Sequence, residues 1–303
     1  MRYSIARMED SQSRPDLAVI LPAFNESGGM VATLTRLQTV LGALPISSEI
    51  IVVDDGSTDG TGAHAAELGV RVLTHPWNRG YGAALKTGVL ATHARVIAIM
   101  DADSSYLPES LPRLYAKLDG ADMVVGERSL TAEGVSMLRR PGKWMLNQLA
   151  SYLAGIHIPD LNSGQRLMKR EALLRYMHLC PSGFSFTSTI TLAMVTNGHL
   201  VLYEPVEYER RTGSSKIRWS HFFNFVLLVV RAIVLFNPLK VFLPLGALAF
   251  VAGVAKLIED IYLWNLSETT VMAFLSAITI WAVGLLADMI SRLQMQPPWS
   301  PRD

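Results

Sequence analysis

"VIAIMDADSSYLP", residues 96 to 108, begins as a run of apolar residues able to fill a buried strand and stops at two carboxylates, Asp101 and Asp103, separated by one alanine. Residues two apart in a strand point to the same side, so these carboxylates are expected to converge and to repel unless a positive charge sits between them. A divalent cation is the obvious candidate. The plainer reading is a pair of solvated aspartates in a turn, and the rest of the chain has to decide between the two.

Working outward, residues 17 to 208 alternate short β-rich runs with amphipathic stretches of helical length. That is the pattern of a mainly parallel α/β sheet covered by helices. The predicted strands are "LAVILP", "EIIVVDD", "VRVL", "VIAIMD", "DMVVG" and "LVLYEPVEY". The polar motifs "AFNE", "DDGSTDGT" and "DADSSY" all fall at strand C-terminal ends. Open α/β sheets bind ligands in the crevice outside those ends, so the three motifs describe one site.

The chain has 303 residues, enough for one large domain or two ordinary ones. Charged residues make up 17%, below the soluble norm of about 25%, and mean hydropathy is positive. Both point toward a membrane. A net charge of +1 supplies no global attraction to nucleic acid. The single cysteine, Cys180, excludes an internal disulfide framework and a cysteine-rich zinc site. The first sixteen residues are polar and contain no apolar core of a secretory signal, so the N-terminus is expected to be flexible and cytoplasmic.

After Lys216 the composition changes. "WSHFFNFVLLVVRAIVLFNP" carries Arg231 in its interior and reads as interfacial helix over residues 216–238. "VFLPLGALAFVAGVAKLI" and "VMAFLSAITIWAVGLLADMI" then approach the length that crosses a hydrocarbon core, which predicts two transmembrane helices within residues 239–291 and a tail over 292–303. Two buried core helices are the alternative. The connector "EDIYLWNLSETT" has no Lys or Arg, whereas Arg210, Arg211, Lys216, Arg218 and Lys240 precede the hairpin and Arg292 and Arg302 follow it. The positive-inside bias therefore places both flanks and the α/β domain, residues 17–215, in the cytoplasm.

Singly, the motifs are ambiguous. Asp54 and Asp55 close the second strand, where a carboxylate can accept a ring N–H of uracil or guanine, yet "DDGSTDGT" is also made of good turn residues, with Asp59 and Thr61 suited to capping. "NRGYGAALKTG" has Leu85 where the third glycine of a dinucleotide-binding G-x-G-x-x-G would fall, and no G-x-x-x-x-G-K-[ST] occurs. A bound nucleotide would rely on a metal and on strand-end carboxylates. Phe184 and Phe186 can line a lipid or sugar groove or anchor a core, and the seven histidines show no metal-ligand spacing.

"LPAFNE", "VVDDGSTDGT", "DADSSY" and "VGERS", in that order, closely resemble family 2 glycosyltransferases of the GT-A fold. "DLNSGQRLMKRE", "RRTGSSK" and the C-terminal apolar hairpin resemble the dolichyl or polyprenyl phosphate mannose and glucose synthases. The resemblance runs over residues 17 to 290 and implies a Rossmann-like GT-A domain that transfers a hexose from a nucleotide sugar to polyprenyl phosphate, with inversion. GDP-mannose is the first donor expected and UDP-glucose the second.

It further implies that Pro22, Phe24, Glu26, Asp54, Asp55 and Ala102 surround the nucleotide and that Asp101 and Asp103 hold Mg²⁺ or Mn²⁺. Ser105 stands where some members have Gln, a shorter and weaker ligand that leaves water to complete the metal shell. Asp160, Ser163 and Arg166 are implied near donor sugar and acceptor. Two clustered anions need cations, for which Arg128, Arg139 or Arg140, and Arg211 with Ser215 and Lys216 are the candidates. The expected partners are the nucleotide sugar, polyprenyl phosphate and membrane lipid, with a homo-oligomer open. The alternatives are transfer to another lipid or glycan, or a silent nucleotide-binding scaffold. A processive synthase motif, Q-x-x-R-W, is absent.

Overall fold

The structure is a computed structural model that describes residues 14–128, 147–148, 150–152, 154–183, 185–208 and 235–295. Arg139, Arg140, Phe184, Arg211, Ser215, Lys216, Arg231 and most of the expected interfacial segment lie outside the described residues.

Strands β1 (Leu17–Ala23), β2 (Ser48–Asp54), β3 (Arg71–Thr74), β4 (Val96–Ile99), β5 (Met123–Arg128), β6 (Arg166–Lys169) and β7 (Val201–Val206) form one sheet in the order β3-β2-β1-β4-β6-β5-β7. Every neighbouring pair is parallel except the two made by β6, which runs antiparallel to β4 and to β5. Six strands match the expected runs. The seventh, β6, lies inside "DLNSGQRLMKRE", where four residues flanked by charge show no strand period long enough to detect.

Side chains alternate between two cores, one on each face of the sheet. Along β1, Ala18 and Ile20 face one core, together with Ile51, Val53, Ile97 and Ile99, while Leu17, Val19 and Leu21 face the other. A central strand buried on both faces reads as a continuous apolar run, which "LAVIL" is. On the second face α1 (Ser27–Gly42) buries Met30, Leu34, Leu37 and Leu41 at helical spacing. The first face is covered by α3 (Tyr81–Leu90) and by α6 (Phe186–Thr196), in which Phe186 is a fully buried core anchor. The remaining helices of the domain are α2 (Thr61–Glu67), α4 (Leu111–Lys117) and α5 (Arg170–Tyr176).

The starts of α1 and α2 are held by one carboxylate. Asp59 accepts the Ser27 N–H on Oδ2 (3.1 Å) and the Thr61 N–H on Oδ1 (3.0 Å), one orphan donor from each helix. Burial is the largest single influence and raises its pKa, but the hydrogen bonds from Thr61 and Ser27 together outweigh it and hold the carboxyl well below the usual aspartate range. Asp59→Ala is expected to cost about 1 kcal/mol, measured as a shift in thermal unfolding at neutral pH. Because the folded pKa is depressed, this contribution is present above the unfolded value near 4 and fades as pH falls below it, so the deficit of the variant shrinks in acid.

Beyond the domain, α7 (Leu239–Tyr262) and α8 (Glu268–Met295) are long and apolar enough to cross a membrane, and they pack against each other. Only 11% and 17% of their most apolar windows are buried, so they are not core helices of a soluble domain. Gly246 sits under the Trp281 ring and Gly284 against Phe242, close approaches that a Cβ would block. Pro244 has no N–H for the Lys240 carbonyl one turn earlier, and Tyr152 Oη from the α/β domain donates to that carbonyl instead (2.8 Å).

Candidate active site

The strand order sets the site's position. From β1 the chain moves outward to β2 and β3, then returns to β4 on the other side of β1, so the C-terminal ends of β1 and β4 flank a topological switch point. A cleft of about 390 Å³ opens there, lined by Pro22, Phe24 and Glu26 after β1, Asp55 after β2, Tyr81 of α3, and Asp101, Ala102 and Asp103 after β4. A larger cavity of about 740 Å³, between Arg14, His93, Tyr115 and Arg170, lies at the opposite ends of the strands, away from these motifs.

Asp101 and Asp103 come together, though not as alternate residues of a strand. β4 ends at Ile99, and the carboxylates lie in a bend that carries Ser104 in the left-handed region (φ 59°). Ser104 is tied there by hydrogen bonds of its hydroxyl with Thr33 (2.8 Å) and the Gly29 carbonyl (3.2 Å). Such a conformation in a non-glycine residue is held by its surroundings and is common at functional sites.

Burial and then the charge of Asp103 push Asp101 up to about 6, against the Tyr81 hydroxyl that donates to its Oδ1 (2.9 Å) and the charges of Arg128 and Arg166. The pair thus forms a locus where positive charge is favoured. Ser105 is buried, and both its N–H (3.1 Å) and its hydroxyl donate to Asp103 Oδ1. Its place is therefore behind the carboxylate, orienting it, and not among groups that line the cleft.

β6 completes the site. Its antiparallel course pairs Arg166 with Ile99 at the cleft end of β4, so the preceding loop brings Asn162 and Gly164 to the cleft wall. A Cβ on Gly164 would overlap the Asp101 carboxylate. Gly164→Ala is expected to displace that carboxylate and lower activity by about 100-fold, read as initial rates at saturating donor with the unfolding temperature as control.

The other residues of that loop do not reach the cleft. Asp160 is fully buried and forms a bidentate pair with Arg128, Nε to Oδ2 (2.8 Å) and Nη2 to Oδ1 (2.9 Å). Burial disfavours the Arg128 charge, but the Asp160 hydrogen bonds win and raise its pKa. Arg128 also lies over the Tyr208 ring, 5.4 Å from its centroid. Ser163 is buried against Tyr106 and Gln165.

Arg166, expected beside the acceptor, is enclosed. Its guanidinium donates to the Ser163 and Leu161 carbonyls, the Thr187 carbonyl (2.9 Å) and Thr191 Oγ1 (2.8 Å), and burial draws its pKa down. It staples the Asp160–Gln165 loop to α6. Of the "DD" pair, Asp54 turns away from the cleft, accepting the Ser57 N–H (3.0 Å) and packing on Gly62. Asp55 lines the cleft.

The sequence reading missed Tyr81, which both lines the cleft and holds Asp101, and His75, which is buried against Asp55. "NRGYGAALKTG" holds Tyr81 but reads only against glycine-rich phosphate loops, His75 lies before it, and no local signal marks either side chain.

A mixed, mostly parallel sheet with a carboxylate-rich cleft at its switch point defines an α/β enzyme class that grips a ligand outside its strand ends. Residues 18–177 match the family described as Glycosyl transferase family 2, and residues 237–293 match the one described as GtrB C-terminal hairpin. The chain belongs to glycosyltransferase family 2 and is a glycosyltransferase.

Among its relatives, a polyprenol monophosphomannose synthase of Mycolicibacterium smegmatis is 33% identical over 67% of this chain and 81% of its own length. A dodecaprenyl-phosphate galacturonate synthase of Rhizobium johnstonii is 26% identical over 94% of this chain and 90% of its own. In fold, the chain is similar to glucosyl-3-phosphoglycerate synthase of Mycobacterium tuberculosis in complex with uridine diphosphate, with TM-score 0.58 and 20% identity over 77% of this chain and 84% of that one. The GT-A architecture expected from the motifs is thus the one observed.

Proposed function

We propose that this glycosyltransferase moves a hexose from a nucleotide sugar to a polyprenyl phosphate, with inversion, at the cytoplasmic face of the cell's inner membrane. The observation that carries the reading is the juxtaposition of the Asp101–Asp103 cleft with an apolar two-helix hairpin on one chain. Relatives named for polyprenol and dodecaprenyl phosphate support the acceptor class.

A lipid phosphate has a second pKa near 6, is largely dianionic at neutral pH and needs no strong general base. What the protein must do is hold two groups of anions together. Phe24, 44% exposed at the cleft mouth, is a surface on which a base can stack, and Asp55 offers it an acceptor. Asp101 and Asp103 would hold Mg²⁺ or Mn²⁺, and the bound ion would neutralise charge developing on the departing diphosphate. The residues fit such an ion, because both carboxylates line the cleft and Asp101 is raised by burial and then by its neighbour's charge. Among the described residues no third carboxylate, His or Cys joins them, so diphosphate and water oxygens would fill the remaining positions.

Arg128 is engaged by Asp160, which leaves Arg139, Arg140, Arg211 and Lys216, with Ser215, as the proposed acceptor-phosphate contacts. Lys216→Ala is expected to raise the KM for the lipid acceptor about tenfold while leaving nucleotide affinity unchanged. Equal losses in both assays would refute that division of labour.

The overall reading is tested by incubating the purified protein with polyprenyl phosphate, Mg²⁺ or Mn²⁺ and a panel of labelled nucleotide sugars. Label is expected in an organic-soluble, acid-labile lipid from one donor and is expected to vanish with EDTA. No transfer from any donor, with nucleotide binding intact, would overturn it.

A further inference from the structure

Asp55 is the carboxylate that meets the base in the nucleotide site proposed above, and its hydrogen bonds limit which base it can read. An ionised carboxylate has about four lone-pair positions. Among the described residues three are taken: Oδ1 accepts from His75 Nδ1 (2.6 Å) and from the Arg79 N–H (2.9 Å), and Oδ2 accepts from the Gly80 N–H (2.7 Å). A carboxylate has no hydrogen to give, so the proton of this contact sits on His75 Nδ1.

None of the three donors can easily withdraw. The imidazole is buried, and its Nε2 is held by Thr87 Oγ1 (2.9 Å). Gly80 has φ 100°, and a Cβ there would lie 2.6 Å from the Ser182 carbonyl oxygen, so the Arg79–Gly80 segment is clamped against the loop before α6.

We propose, on the reading that this cleft holds a nucleotide sugar, that the donor is a uridine diphosphate sugar and not a guanosine diphosphate sugar, because the described residues leave Asp55 one acceptor position for the base. Uracil offers a carboxylate one imide N–H between two carbonyls. Guanine presents N1–H and N2–H side by side, and pairing both requires an open position on each oxygen, of which Oδ1 has none. Stacking on Phe24 serves either ring and does not discriminate. His75 is a positioning residue, since it fills the Oδ1 position that guanine would need and fixes the carboxylate's orientation. This reverses the donor order expected from the motifs.

The test is calorimetric binding of UDP, GDP and N3-methyl-UDP to the full chain in detergent with Mn²⁺. UDP is expected to bind about 10- to 100-fold tighter than either of the others, the range for one hydrogen bond to a charged group. In assays with a UDP-sugar, His75→Leu is expected to raise the donor KM about tenfold with the acceptor KM unchanged, and His75→Asn, whose amide can donate from the Nδ1 position, is expected to restore it. A merely structural role would move both constants or neither. GDP binding as tightly as UDP, or N3-methyl-UDP equal to UDP, overturns the assignment whether or not the His75 variants fold. GDP preference together with transfer from GDP-mannose would overturn the base and leave the transferase reading standing. UDP preference without a lipid-linked product from any UDP-sugar would support the base and overturn the acceptor. Failure of any nucleoside diphosphate to bind overturns both.

Discussion

Asp103→Asn is expected to reduce sugar transfer by at least about 100- to 1000-fold while the protein folds and enters membranes as before. The substitution keeps Oδ1, which accepts from the Ser105 N–H and hydroxyl, so the bend after β4 retains its internal bonds. What it removes is charge. In the metal-free protein that charge works against Asp101, whose pKa stands near 6 through burial and then through Asp103. Relieving the repulsion leaves the unfolding temperature equal to or above that of the native chain. Lost activity combined with unchanged or increased stability is the signature of a group retained for its ligand. Asp103→Ala should lose transfer equally but also forfeit the Ser105 contacts. Full activity in either variant, or activity unaffected by EDTA, would remove the metal from the mechanism.

Arg128→Ala should destabilise the fold by about 3–5 kcal/mol, the usual cost of stranding one partner of a buried ion pair. Asp160 is fully enclosed, and although it also accepts from backbone N–H groups such as that of Asn162 (3.3 Å), it is Arg128 that pairs with its charge bidentately. Arg128 itself is 18% exposed by side chain, so water reaches only one end of the pair. A double variant, Arg128→Met with Asp160→Asn, should recover most of the lost stability, because the buried charge is gone. Thermal and denaturant unfolding of the three variants measures both effects. An Arg128→Ala protein as stable as the native chain would show that the pair contributes little to the fold.

The pair also shows why residue type and spacing were an incomplete guide to the site. "VGERS" and "DLNSG" read as separate cationic and acidic motifs, each aimed at substrate. They are about thirty residues apart in sequence and are joined only because β5 and β6 are neighbours in the sheet. Arg166 and Ser163 were displaced from their expected roles by the same short strand, which turns the loop so that Asn162 and Gly164 line the cleft while Arg166 points into the core. Asp54 and Asp55 were equivalent as letters; the end of β2 separates them, one toward α2 and one toward the cleft.

By itself the sequence determined the sheet of buried parallel strands, the ends where its carboxylates gather and the two apolar C-terminal helices, because each of these is a local pattern of hydrophobic period and length. The motifs that identify the family are likewise short and contiguous. Tertiary structure alone decided which of those carboxylates face the cleft, that Tyr81 steadies Asp101, that Ser105 stands behind Asp103, and that His75, Arg79 and Gly80 occupy three of Asp55's acceptor positions. Hydrogen-bond saturation and charge pairing are made between segments distant along the chain, so no window of sequence contains them.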